Sequence, residues 1–185
     1  MTVPGLSEMT EEEIKALVEA EQTRWTKLHE THFVGLTDIS MIVLKGHLLV
    51  EQLLTSLLSH HCTFPEQLRK AGLRFPQKAA LIKAIVILPF PDELWRFLKL
   101  INQLCNDIAH ELEPELKEHL ETVRAMTDPR TKIAGAPAGF QATFETDERR
   151  LASLISFWLG VLGSADSILQ LLKKAGKFTT ATFTT

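Results

Sequence analysis

Residues 91–110 read PDELWRFLKLINQLCNDIAH and contain the clearest helical pattern in the chain. Proline followed by two acidic residues is typical of a helix N-terminus, where carboxylates complement the positive end of the helix dipole. Apolar residues then recur every three or four positions, which predicts an amphipathic helix with one buried side. These positions are Leu94, Trp95, Leu98, Ile101, Leu104, Cys105 and Ile108.

The segments on either side of this helix also have helical periodicity. A stretch from Thr37 or Asp38 to about His60 is apolar on more than one side, which predicts a central helix covered by neighbours or by a second subunit. Gly46 interrupts it at a cost of roughly 1 kcal/mol relative to alanine, and close approach of another helix would explain that choice. A second long apolar helix is predicted over about 147–174.

The fold class follows from these patterns. No alternation of strands and helices occurs, so we predict an all-α protein. A length of 185 residues suits a single domain over 1–185. Glycine, proline, alanine and threonine concentrate in 127–146, which predicts a mobile loop, and 177–185 form a threonine-rich tail.

Composition narrows the classes of function. With a formal net charge of −3, the protein has no overall positive field that would attract nucleic acid or an anionic membrane. Any contact with RNA would therefore have to come from a local patch of the surface. The acidic N-terminus lacks the apolar run of a signal peptide, and the apolar segments are interrupted by polar residues. We therefore expect a cytoplasmic protein with no membrane association.

The sequence gives no reason to expect a cofactor or a metal ion. The two cysteines are far apart, and no CxxC pair is present. The run His60-His61-Cys62 has metal-ligating side chains, but adjacent residues lie on different helix faces and no fourth ligand has suitable spacing.

Polar residues interrupt the apolar pattern of 91–110 at Asn102, Asn106 and His110, each four positions after the last. On a helix this spacing places them on one ridge. An ordinary structural role is one explanation, with Asn106 bonding a backbone group and His110 suiting the helix C-terminus. A functional ridge is the other.

Three segments together resemble the successive helices of the HEPN superfamily: LKGHLLVEQLL at 44–54, FPQK at 75–78 and LINQLCNDIAH at 100–110. That family consists of helical, usually dimeric domains found in prokaryotic toxins, defence ribonucleases and related regulators. Its motif is an arginine, usually an asparagine, three further residues and a histidine. The resemblance covers roughly 36–112 well and the outer helices only in general shape. It implies a HEPN-like up-and-down helical bundle with additional N- and C-terminal helices.

In active members, the resemblance implies metal-independent RNA cleavage in a cleft between two subunits. His110 matches the histidine that transfers a proton at the ribose 2′-hydroxyl, a role that suits a pKa near working pH. Asn106 matches the residue after the arginine, and Glu51 matches an acidic position on the preceding long helix.

Cys105 stands where the motif has its arginine. A thiol has no guanidinium to hold the scissile phosphate, and losing one transition-state contact typically costs about 2.7–4 kcal/mol. Cys105 as a replacement nucleophile would need an activating base, so a structural cysteine is the better interpretation. The chain is then a naturally degenerate member, an attenuated form of an active toxin, or a coincidence of packing, in that order of preference.

We therefore expect an RNA-directed module of toxin–antitoxin or phage-defence type with catalysis impaired at Cys105. The expected partners are a second copy of the chain, through the helices that hold Gly46 and His110, together with RNA and a cognate antitoxin or regulatory protein. The alternative is a non-enzymatic homodimer that resembles a transcriptional regulator or an antitoxin. A modest basic cluster at Arg69, Lys70 and Arg74 could touch RNA phosphates, though a solvated surface is the better interpretation.

Overall fold

A computed structural model describes residues 11–86, 88, 90–128, 130 and 144–174. Within these ranges the chain is mostly helical and has no strand, which confirms the all-α prediction. The helices are α1 (Glu11–His32), α2 (Ile39–His60), α3 (Pro65–Lys70), α4 (Phe75–Ile85), α5 (Asp92–His110), α6 (Lys117–Met126) and α7 (Asp147–Lys174).

Local sequence signals account for the bounds of the long helices. Oδ1 of Asp38 accepts a hydrogen bond of 3.0 Å from the backbone N–H of Met41, and this N-cap starts α2 where the sequence predicts it. Helix α5 begins after Pro91 and ends at His110, also as predicted. Helix α7 has acidic residues in its first turn and lysines in its last, matching the helix dipole at both ends.

Helices α2 and α7 form the most extensive helix pair of the bundle, and α2 also packs on α4 and α5. Gly46 is buried in this contact, since a Cβ atom there would lie only 2.7 Å from Cδ1 of Ile155. The predicted close approach at Gly46 is therefore confirmed, and the approaching helix belongs to the same chain. Farther along, Nε2 of His60 lies 2.9 Å from Oδ1 of Asp166, a polar link between the same two helices.

Helix α1 covers the outer side of α7. The Trp25 ring lies directly over Gly163, so closely that a Cβ atom at that position would overlap it. Nε1 of Trp25 donates to Glu21, and the Ser167 hydroxyl donates to the other oxygen of the same buried carboxylate, at 2.8 and 2.7 Å. These bonds pair a carboxylate that would otherwise be costly to bury.

By length and composition alone, α2 and α7 would each suffice to cross a membrane. They also supply much of the buried core, including Val50, Leu54, Leu154 and Trp158. The central helices of a helical bundle can be equally long and apolar, because they are covered by neighbours on several sides.

The predicted loop at 127–146 lies largely outside the described residues, and the tail at 177–185 lies wholly outside them. Hydrogen bonds between side chains join the two described ends of the loop. A guanidinium N–H of Arg150 donates to the hydroxyl of buried Thr127 at 3.0 Å, and Nε of Arg124 donates to Asp147 at 2.9 Å. Helices α6 and α7 therefore meet where the loop leaves and re-enters the bundle.

Candidate functional site

Helix α5 presents the predicted polar ridge on its outer side. Asn106 and His110 are exposed and Asn102 is half-buried, while Leu98, Ile101 and Leu104 of the same helix lie in the core. Residues four apart on a helix are separated by about 6 Å along its axis. The amide of Asn106 and the imidazole of His110 are thus open to solvent on consecutive turns.

Asn102 connects this ridge to α2. It hydrogen-bonds to His47, whose ring stacks on Phe75 with centroids 4.4 Å apart. Burial lowers the pKa of His47 below its ordinary value, while the bond to Asn102 and the charge of Glu51 act in the opposite direction. The hydrogen bond therefore links the ridge of α5 to the long helix α2.

Cys105 lies half-buried against the core. Burial raises the pKa of its thiol, and the negative charge of Glu51 raises it further. The side chain is accordingly a neutral thiol near pH 7. It supplies neither the positive charge of the motif arginine nor the thiolate that nucleophilic catalysis requires.

Glu51 of α2 forms an ion pair with α4. Its Oε1 accepts from Nζ of Lys78 at 2.9 Å, across the contact between α2 and α4. The pair lines a cleft of about 580 Å³ between α2, α3 and α4, together with Arg69 and the hydroxyl-bearing residues Thr55 and Ser59. Among the four predicted site residues, the only described interaction is the electrostatic one between Glu51 and Cys105.

A side-chain hydrogen bond joins α6 to the last turns of α5. Oδ2 of Asp107 lies 2.7 Å from Nε2 of His119. Asp107 belongs to the motif segment, yet its partner is twelve residues away on another helix, so helical spacing alone gave no signal for it. The contact links α5 to α6 close to the end of the motif segment.

A smaller pocket of about 240 Å³ lies between α4 and α5 and includes Asn102 in its wall. The rest of its lining is Phe75, Pro76, Ala79, Ala80, Lys83, Trp95, Leu98 and Lys99. Nζ of Lys83 lies 5.3 Å from the centroid of the Trp95 ring, a cation–π contact. Helical spacing within one helix did not predict this pocket, because its two walls come from α4 and α5.

Other chemically active side chains have structural partners. The Ser156 hydroxyl donates to the carbonyl of Ala152, so the ring nitrogen of His29 at 2.7 Å acts as donor toward it and does not activate it. His60 pairs with Asp166 across the core. No group of three metal-ligating side chains occurs within the described part of the chain.

Comparison with known proteins leaves the family open. No protein-family model, curated protein or solved structure matches the chain. The site therefore rests on its own geometry: an exposed Asn106–His110 pair at the end of α5, a neutral thiol at the preceding position, and an aromatic pocket that begins at Asn102.

Proposed function

We propose that the chain is a HEPN-like, RNA-directed module of toxin–antitoxin or phage-defence type, cytoplasmic, whose cleavage activity is impaired at Cys105. The observation that supports this most is the exposure of Asn106 and His110 on consecutive turns at the end of α5. An imidazole without a described partner is free to bond a ribose hydroxyl or a phosphate oxygen and to exchange a proton with it.

The state of Cys105 favours binding over cutting. A motif arginine would hold the scissile phosphate with a bidentate fork and stabilise charge in the transition state. The half-buried neutral thiol provides neither function. The ridge therefore retains a group that transfers protons and lacks the group that stabilises the transition state.

Equilibrium binding to a fluorescein-labelled single-stranded RNA tests this proposal. Asn106→Glu and His110→Glu place a negative charge where phosphate is expected, and each should weaken binding by about fivefold or more at low salt. Gln170→Glu adds the same charge to an exposed position of α7 and should leave the affinity unchanged. Absence of binding by the unmodified protein, or equal affinities for all four proteins, would overturn the proposal.

One observation favours the second candidate, a non-enzymatic homodimer. Met41, Leu44 and Leu48 form an exposed apolar stripe on α2, with Leu48 58% exposed. The Gly46 face of α2 is already covered by Ile155 of the same chain, whereas this stripe is open to a second copy. Sedimentation equilibrium should show a dimer that Leu48→Glu dissociates, and a monomer at all concentrations would exclude this candidate.

A further inference from the structure

We propose that the pocket between α4 and α5 receives one base of a single-stranded RNA, with Lys83 and Lys99 contacting the neighbouring phosphates. This inference rests on the proposed function and adds to it the place where the RNA is held. The juxtaposition that carries it is an aromatic, small-residue cavity, rimmed by two lysines and adjoining the polar ridge of α5.

The walls of the pocket suit a flat aromatic group. Trp95 is half-buried and contributes an indole surface, while Phe75 and Leu98 close the inner side. Ala79 lies on the facing side of α4, where its short side chain leaves the space open. Stacking on an aromatic side chain is the usual way in which proteins hold single-stranded bases, because every base has a π face.

The charges at the rim complement a phosphate backbone. Lys99 is exposed and has no ion-pair partner within the described residues, and Lys83 contacts only the Trp95 ring there. Two cations without carboxylate partners beside an apolar cavity favour a ligand that joins an aromatic ring to a negative charge. The larger cleft also has two cations, Lys78 and Arg69, but Lys78 is paired with Glu51, and the lining of that cleft includes no aromatic side chain on which a base could stack.

Asn102 adds hydrogen bonding and continuity with the ridge. Asn102 lines the pocket, and its side-chain amide can hydrogen-bond to the polar edge of a base. Asn106 and His110 follow on the next two turns of the same ridge. A strand with one base at Trp95 would thus have its following nucleotides directed toward His110.

Titration with uridine 5′-monophosphate, followed by tryptophan emission, tests the pocket directly. Trp158 is fully buried and Trp25 is 9% exposed, so Trp95 is the indole most open to a stacking ligand. The nucleotide should quench the emission of the unmodified protein and should leave the emission of Trp95→Phe unchanged. Equal responses of the two proteins would overturn the pocket assignment.

RNA affinity provides the second measurement, with two matched pairs of variants. Ala79→Met fills the pocket, whereas Ala84→Met adds the same side chain at an exposed position of α4 that does not line it. Lys99→Gln removes a rim charge, whereas Lys27→Gln removes an exposed charge on α1. The first member of each pair should bind RNA about fivefold or more weakly, with native circular dichroism, and the second should bind as the unmodified protein does.

The outcomes separate the two proposals. If the unmodified protein binds RNA and all four variants bind equally, the pocket inference is wrong and the RNA-directed function stands. If the unmodified protein does not bind RNA, the proposed function is wrong, and the inference that rests on it falls too. Loss of affinity restricted to Ala79→Met and Lys99→Gln would support both.

Discussion

Nζ of Lys78 lies 2.9 Å from Oε1 of Glu51, and this ion pair joins α4 to α2. Lys78 is only 15% exposed and Glu51 30%, so both charges are partly withdrawn from water. The acidic residue that the resemblance assigns to the site is therefore engaged in holding two helices together.

Replacing Glu51 with glutamine should destabilise the protein. Glutamine keeps the shape but leaves a largely buried ammonium group without its counter-charge, which should lower the free energy of unfolding by about 1–3 kcal/mol. Urea denaturation measures this loss. The double variant Glu51→Gln/Lys78→Met should lose less than the sum of the single losses, and strict additivity would show that the pair does not interact.

Cys105 should be slow to alkylate at neutral pH. Burial and the charge of Glu51 raise the pKa of its thiol, so little reactive thiolate is present near pH 7. Mass-spectrometric peptide mapping after iodoacetamide treatment should show slower modification than for free cysteine. Glu51→Gln removes one of the two causes that raise the pKa of the thiol, and it should therefore speed alkylation of Cys105. An unchanged rate of alkylation would contradict the electrostatic interaction between Glu51 and Cys105.

Two glycines of α7 make a matched test of how α1 is held. Gly163→Ala forces its methyl group into the Trp25 ring, and overpacking of this kind costs about 1–3 kcal/mol. At Gly160 a Cβ atom would meet Trp25 at an ordinary 3.7 Å, so Gly160→Ala should be neutral or stabilise by up to about 1 kcal/mol. Thermal unfolding compares the two, and equal effects would contradict the packing of Trp25 on Gly163.

Stability should fall as the pH drops below about 6.5, the ordinary pKa of histidine. Burial lowers the pKa of His29, His47 and His61, so the unfolded chain binds protons at these residues before the folded protein does. Lowering the pH therefore favours the unfolded chain. The contribution of the three neutral imidazole rings to the free energy of unfolding is fully present only above about pH 6.5. Urea denaturation should give a lower unfolding free energy at pH 5.5 than at pH 7.5, with a smaller difference in His47→Gln. Equal values at the two pH values would contradict this assignment.

The sequence predicted those features that depend on contacts within one helix. The cap at Asp38, the bounds of α5 and α7, and the ridge of Asn106 and His110 all follow from spacing along the chain. The close approach at Gly46 was also predicted, because a glycine among good helix formers needs a packing reason.

What the sequence did not predict depends on which helices become neighbours. The pairs Glu51–Lys78 and Asp107–His119 each cross between helices, and helical periodicity assigns residues to a face without naming the helix opposite. The pocket at Trp95 was missed for the same reason, since its two walls come from α4 and α5.

Cleavage of RNA by Cys105→Arg tests most directly whether α5 carries an RNA-cleavage motif that lacks only its charged residue. The arginine variant should cut a single-stranded RNA without added metal, and Cys105→Arg/His110→Ala should leave it intact, while the unmodified protein cuts slowly or not at all. Intact RNA with the arginine variant, or cleavage that survives the loss of His110, would contradict the account.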